Sequence, residues 1–208
     1  MQDDQMILQE DGLRFGALGE GWVHVCVDMQ RMFAEPTAWQ AAWMPRVLPR
    51  VVQLAAVAPA RTIFTRFIPP SLPEDMPGTW RRYFQRWHGL TLSRMDPALI
   101  ELVPELARFV PPARTVDKQV YSPWFAGRLS SELARLAVDT LVVSGTETEV
   151  CVLATVLGAI DLGYRVIIAT DAICSSADPT HDAMLEIYHS RFGMQVEAAE
   201  TAEILEAA

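Results

Sequence analysis

Three residues of this chain have the types needed to break a carbonyl bond: Cys151, Lys118 and Asp28. Cys151 ends the run Gly-Thr-Glu-Thr-Glu-Val-Cys (145–151), between a strand-like stretch and a helical one. Thr146 and Glu149 have capping-box spacing, so Thr146 is a candidate helix N-cap and Thr148 the other. Either choice places Cys151 in or near the first helical turn. Unpaired backbone N–H groups and the positive dipole end favour a thiolate there. An ammonium such as that of Lys118 would lower the thiol pKa further, and Asp28 could take the thiol proton and deliver it to a leaving amine. Backbone N–H groups around Glu147 and Cys151 are placed to bind a developing oxyanion. Each residue alone has a plainer reading. A cysteine beside a strand is often an inert small hydrophobe, which is the expectation for Cys26 and Cys174. Asp28 could be a cap or turn residue, and Lys118 a solvated surface lysine. The joint pattern outweighs the separate alternatives.

Positioning three such groups at one point requires several strands to end together. Residues 22–27 (WVHVCV) are a continuous apolar run ending at Asp28, as expected of a strand buried on both faces. A helical stretch covers 38–57, with Pro45 and Pro49 breaking or kinking its first half. Further strands are expected at 61–67, at 114–117 ending at Lys118, at 140–143, at 165–169 and at 194–197. Helices are expected at 127–138, 149–162 (closed by Gly163), 179–192 and 200–208, with a turn at 145–148. The segment 68–112 holds eight of the prolines and reads as an irregular excursion on the substrate side carrying one or two short helices. The alternation predicts one α/β domain over 1–208, a three-layer α/β/α arrangement around an open, mostly parallel sheet, with 1–18 as an N-terminal extension. Ligands of such sheets bind beyond the strand C-termini where the strand order reverses. Asp28, Lys118 and Cys151 all fall there.

Composition narrows the partners. Half of the 208 residues are hydrophobic, 17 basic residues face 26 acidic ones, and the net charge is −9. No basic stripe suits nucleic acid, and no apolar run is of membrane-spanning length. The acidic start, MQDDQMILQEDG, has no signal-peptide pattern, and three widely spaced cysteines suit neither a disulfide scaffold nor a Cys-rich zinc site. A reduced, cytoplasmic setting is the expectation. The Gly16–Gly21 glycines precede their strand instead of coming after it, so they are no dinucleotide fingerprint and no cofactor is implied.

Three segments together resemble isochorismatase-like cysteine hydrolases: V-D-M-Q-R-M-F (27–33), D-K-Q-V-Y-S-P-W-F (117–125) and S-G-T-E-T-E-V-C-V-L-A-T (144–155). The stretch G-Y-R-V-I-I-A-T-D-A-I-C-S-S (163–176) also resembles the next segment of that superfamily, and the likeness runs from about Gly21 to Phe192. The resemblance implies a Rossmann- or flavodoxin-like sheet of about six parallel strands. It also implies an Asp28-Lys118-Cys151 catalytic triad and a cis peptide between Thr146 and Glu147. It further implies homo-oligomers, dimers or tetramers, in which 68–112 could pack against a neighbour. True isochorismatases resemble this chain in fold but lack the nucleophilic cysteine, so its presence favours C–N hydrolysis through a thioester. Nicotinamidases carry an Asp-x-His metal pair after the second strand, where this chain has Arg66 and Phe67. No catalytic metal is therefore expected, and nicotinamide is a poor candidate substrate. The four histidines, His24, His88, His181 and His189, show no close ligand spacing. His181, opening a helix after the D-P-T turn, reads best as a capping or packing residue.

The expected activity is cofactor-free hydrolysis of an amide, carbamoyl or ureido bond in a small molecule. The alternatives are an ether or ester hydrolase acting on an isochorismate-like compound and a non-catalytic binding protein. Gln30, Phe33, Arg66, Trp80, Tyr121, Trp124 and Phe125 are the candidate substrate-binding residues. For Arg66 a substrate carboxylate and a structural salt bridge have equal weight, and for Trp80, Tyr121, Trp124 and Phe125 a core role outweighs direct contact.

Overall fold

The computed structural model describes residues 13–208, so the expected 1–18 extension is described only from Leu13 onward. Its strands are β1 (Trp22–Val27), β2 (Thr62–Phe67), β3 (Arg114–Lys118), β4 (Thr140–Thr146), β5 (Arg165–Cys174) and β6 (Val196–Ala199). They form a six-stranded sheet in the order β3-β2-β1-β4-β5-β6, with every pair parallel. Winding runs outward in one direction through β1, β2 and β3 and in the other through β4, β5 and β6. The order therefore reverses between β1 and β4, and the crevice beyond their C-terminal ends is the natural ligand site. All six residues of β1 are buried, as both faces of a central parallel strand must be.

The helices are α1 (Arg31–Ala34), α2 (Met44–Val57), α3 (Gly78–Arg86), α4 (Pro104–Ala107), α5 (Arg128–Ala134), α6 (Leu153–Asp161), α7 (Asp178–Ser190) and α8 (Thr201–Glu206). Side chains alternate across each strand and so build two cores. On one face Trp22 and Cys26 join Val51 and Leu54 of α2, Phe84 of α3, Leu106 of α4 and Ile204 of α8. On the other, Val23, Val25 and Val27 join Leu129 and Leu133 of α5, Val156 of α6 and Tyr188 of α7. This is the three-layer arrangement expected from the sequence. Among the described residues, no helix is long and apolar enough to cross a membrane.

Several boundaries differ from expectation. The helix predicted from 38 begins at Met44, because Pro45 lies in its first turn, where its missing N–H costs nothing; Pro49 alone lies inside it. The excursion at 68–112 carries α3 and α4 with short 3₁₀ turns between. β4 continues three residues past Val143, so Gly145 and Thr146 are strand and not turn. β5 likewise runs to Cys174, pairing Thr146 with Cys174 after a register shift between Val143 and Gly145.

Gly145 makes the overrun feasible. Its φ is +110°, and a Cβ there would lie 2.1 Å from the Val27 carbonyl oxygen. Only glycine lets β4 approach β1 this closely at the switch point. Replacing Gly145 by Ala adds backbone strain to a clash with main chain that cannot move aside. The expected cost is about 3 kcal/mol or more, read as a lowered urea midpoint.

His24 sits fully buried in the middle of β1, its Nε2 2.7 Å from Ser144 Oγ and its Nδ1 3.5 Å from Thr62 Oγ1. Burial pushes its pKa down to about 3. The unfolded chain thus binds this proton from about pH 6.5 downward while the folded chain refuses it until near 3. Stability attached to His24 is complete above 6.5 and falls with pH in that window, by about 1.4 kcal/mol per unit. Urea unfolding at pH 7 and 5 is expected to show this loss, and His24→Gln to flatten it. An unchanged slope in the variant would show that other groups carry the dependence.

Candidate active site

Asp28 comes directly after β1 in an unusual backbone conformation, with φ at +50°. Its side chain has no solvent exposure. Thr65 of β2 fixes it from the neighbouring strand: the Thr65 hydroxyl donates to Oδ1 at 2.6 Å, and the Asp28 N–H donates to the Thr65 carbonyl at 3.2 Å. Lys118, the last residue of β3, reaches across the end of β2. Its Nζ lies 2.6 Å from Asp28 Oδ2, 3.3 Å from the Val120 carbonyl and 3.3 Å from Cys151 Sγ. Those three contacts account for all three protons of an ammonium. Lys118 Nζ also stands 5.2 Å from the centre of the Phe67 ring. Burial pulls the Lys118 pKa down, but the charges of Asp28 and Cys151 outweigh burial and the net shift is upward. Lys118 is therefore a cation.

Cys151 lies in a single π turn, Thr148–Val152, that comes after the cis peptide between Thr146 and Glu147 and leads into α6. The carbonyl of Glu147 accepts from the N–H groups of Val150 and Val152, and the Cys151 carbonyl accepts from the Thr155 hydroxyl at 2.7 Å. Neither candidate threonine caps this turn. The N-cap position belongs to Glu147, with no side-chain cap. Thr146 Oγ1 donates to the Cys174 carbonyl at 3.2 Å, and Thr148 Oγ1 pairs with His181 Nδ1 at 2.8 Å. The local capping pattern yields to tertiary partners on β5 and α7. His181 thus packs against the turn, as expected of it.

The thiol itself departs from expectation. Cys151 is 7% exposed, and burial is the largest influence on it, pushing its pKa up. The charge of Lys118 pulls it down, and that of Asp28 pushes it up again. One cation serves two acidic groups, and the net direction for the thiol is upward. Cys26 and Cys174 are also buried with raised pKa values, and neither contacts Lys118.

A cavity of about 430 Å³ opens over Cys151, lined by Phe33, Ala38, Trp39, Phe67, Tyr83, Trp87, Tyr121, Glu147, Val150 and Ser176 as well as the cysteine. Of the predicted substrate-binding residues, Phe33 and Tyr121 line it. Trp80 stands behind Tyr121, ring centres 4.7 Å apart. Gln30 is a clamp: its amide donates to the Phe67 and Ile100 carbonyls and accepts from the Phe67 N–H. Arg66 takes its structural alternative, bidentate on Asp117 at 2.8 and 3.0 Å and bonded to Glu101 at 2.7 Å. Trp124 turns away, donating to the Thr155 carbonyl and stacking on Tyr164, and Phe125 is 72% exposed outside the cavity. Sequence reasoning missed Trp39, Tyr83 and Trp87. The aromatic concentration at 80–87 was the available signal for the last two. Among the described residues, no group of three or more His, Cys, Asp or Glu side chains is arranged to hold a metal ion.

Residues 23–200 match the isochorismatase domain. By sequence, the chain is 33% identical over 99 residues to an uncharacterised isochorismatase family protein of Bacillus subtilis (strain 168), spanning 45% of this chain and 52% of that one. It is 27% identical over 175 residues to a maleamate amidohydrolase of Pseudomonas putida, spanning 80% of this chain and 78% of that one. A crystallised cysteine hydrolase from Pseudomonas syringae pv. phaseolicola 1448A has the same fold, with a TM-score of 0.78 and 25% identity over 96% of this chain and all of its own. The domain match covers most of the sequence, the fold agrees with that of a solved cysteine hydrolase over nearly the whole chain, and the chain belongs to the isochorismatase family, whose members similar to it include hydrolases.

Proposed function

We propose that this protein is a cysteine-dependent amidohydrolase that cleaves a C–N bond in a small amide, carbamoyl or ureido compound. The observation that carries the proposal is Lys118 Nζ, held 2.6 Å from Asp28 and 3.3 Å from Cys151 on the floor of a cavity sized for a small molecule. The maleamate amidohydrolase relative supports the same bond class.

The chemistry runs in two halves. Cys151 Sγ bonds to the substrate carbonyl carbon as its proton passes to Asp28, and the carbonyl oxygen takes up the electron pair. Backbone N–H groups of the turn at Glu147 and Cys151 receive that oxyanion. The intermediate collapses, the C–N bond breaks, and the Asp28 proton goes to the departing nitrogen, leaving a thioester. Water then gives a proton to Asp28 and its oxygen to the carbon. The C–S bond breaks, and the sulfur recovers the proton from Asp28. Lys118 stays charged throughout and balances whichever of its two neighbours carries the negative charge.

Cys151→Ala is expected to reduce ammonia release from small amides to the buffer rate, with an unchanged circular dichroism spectrum. Turnover surviving the change would remove the nucleophile and point to acid chemistry on an ether or ester.

Because burial raises the thiol pKa and Lys118 lowers it, iodoacetamide should alkylate Cys151 faster as pH rises from 6 to 9. Lys118→Met should slow alkylation at pH 8 by about tenfold for each unit of lost stabilisation. Equal rates in both proteins, measured by mass spectrometry, would mean that Lys118 does not hold the thiolate.

A further inference from the structure

The cavity over Cys151 is unequally charged. No Lys, Arg or His lines it among the described residues, and the protons of Lys118 are all engaged by Asp28, Val120 and Cys151. Arg66, the nearest sequence candidate for a substrate carboxylate, is held by Asp117 and Glu101. Glu147 alone adds a carboxyl group to the lining. Ser176 donates to it, through its N–H at 3.3 Å from Oε1 and through its hydroxyl. Part of the acceptor capacity of a carboxylate is then left for whatever enters.

The rest of the wall suits a cation. Trp39 is the hub of an aromatic cluster: its ring centre lies 6.2 Å from Phe33, 5.9 Å from Tyr83 and 6.4 Å from Trp87. All four rings line the cavity. Aromatic faces carry negative electrostatic potential and attract ammonium groups. Lys118 over the Phe67 ring is already one such contact on this wall. Tyr83 and Tyr121 line the cavity with the same carboxyl group: burial raises both hydroxyl pKa values most, and the charge of Glu147 is among the smaller causes of the rise. Burial also raises the pKa of Glu147 itself, so a cation beside it would relieve the cost of keeping it ionised.

We propose that Glu147 and the aromatic wall around Trp39 select small amides that carry an ammonium group and turn away those that carry a carboxylate. This rests on the reading of the Cys151 cavity as the active site. An entering carboxylate would meet Glu147 with no free cation to offset it. An ammonium would meet the carboxylate and the ring faces together.

The test uses three probes of one size, benzylamine, benzyl alcohol and benzoate, and reads how strongly each protects Cys151 from iodoacetamide at pH 8. Benzylamine is expected to protect at concentrations about tenfold below benzyl alcohol, with benzoate weakest. Glu147→Gln should bring the amine and the alcohol together, and Trp87→Leu should weaken the amine while keeping the order. Benzoate protecting best, an order unchanged in Glu147→Gln, or no protection by any probe would overturn the assignment. Protection requires only that Cys151 lie in the cavity and react with iodoacetamide, not that it turn over a substrate. Failure here is thus separate from failure of the hydrolase proposal, which is read from ammonia release by Cys151→Ala.

Discussion

The buried ion pair of Lys118 and Asp28 is the constraint around which this fold is arranged. Their side chains are 3% and 0% exposed, at a depth where an isolated charge costs several kcal/mol. The pair is tolerable only because each carboxylate oxygen and each ammonium proton finds a fixed partner. Thr65 supplies one from β2, Val120 one from the loop after β3, and Cys151 one from the turn after β4. Four segments must therefore end in step. The register delivers this, setting Phe67 beside Lys118 and Val27 beside Gly145. Gln30 locks it further, bonding both the N–H and the carbonyl of Phe67. Losing either charge would leave the other stranded, so the ion pair contributes alignment more than net stability.

A buried thiol with a raised pKa is compatible with a nucleophilic role in such a cluster. Burial penalises net charge, while moving a proton within a closed group leaves its total charge unchanged. On the proposed chemistry the proton of Cys151 goes to Asp28, a neighbour held in the same pocket floor, and never to bulk water. The cluster carries one positive and one negative charge before and after. Lys118 lies between the two sites that can hold the negative charge, bonded to both. Helix-end stabilisation of a free thiolate, the expectation from sequence, becomes secondary.

The parallel sheet was legible because its strands are buried on both faces and read as continuous apolar runs, each stopping at a polar residue. Asp28 was visible for that reason, whereas Lys118 ends a short, polar edge strand, Arg114–Lys118. Cys151 was visible because it comes after a strand and opens a helix. Less local features were hidden. Gly145 and Thr146 look like turn residues, and only their contacts with Val27 and Cys174 make them strand. The capping-box spacing of Thr146 and Glu149 is real in sequence, yet Thr146 bonds across to β5. Trp124 is only six positions after Lys118 in sequence, but the chain has by then turned under α6, where Gly158 leaves room for its ring. Trp39 is the converse case: inconspicuous in sequence, it gathers Phe33, Phe67, Tyr83, Phe84 and Trp87 from three separate parts of the chain.

Charge and recognition therefore come from different parts of the chain. Strand ends carry Asp28, Lys118 and the turn to Cys151, and their positions are fixed by sheet register. Apart from Phe67 at the end of β2, the aromatic wall around Trp39 comes from the segment before α2 and from α3 with Trp87 directly after it, which sit outside the sheet and owe their positions to side-chain packing. Packing of that kind tolerates exchange of one large apolar group for another better than a buried ion pair tolerates loss of a charge. The wall can then change which molecule is held without disturbing the proposed proton path beneath it. Glu147 belongs to both parts. Its backbone shapes the turn that carries Cys151, while its side chain faces the cavity beside Ser176. Substitution of that side chain alters what the site admits and leaves the carbonyl that anchors the turn in place.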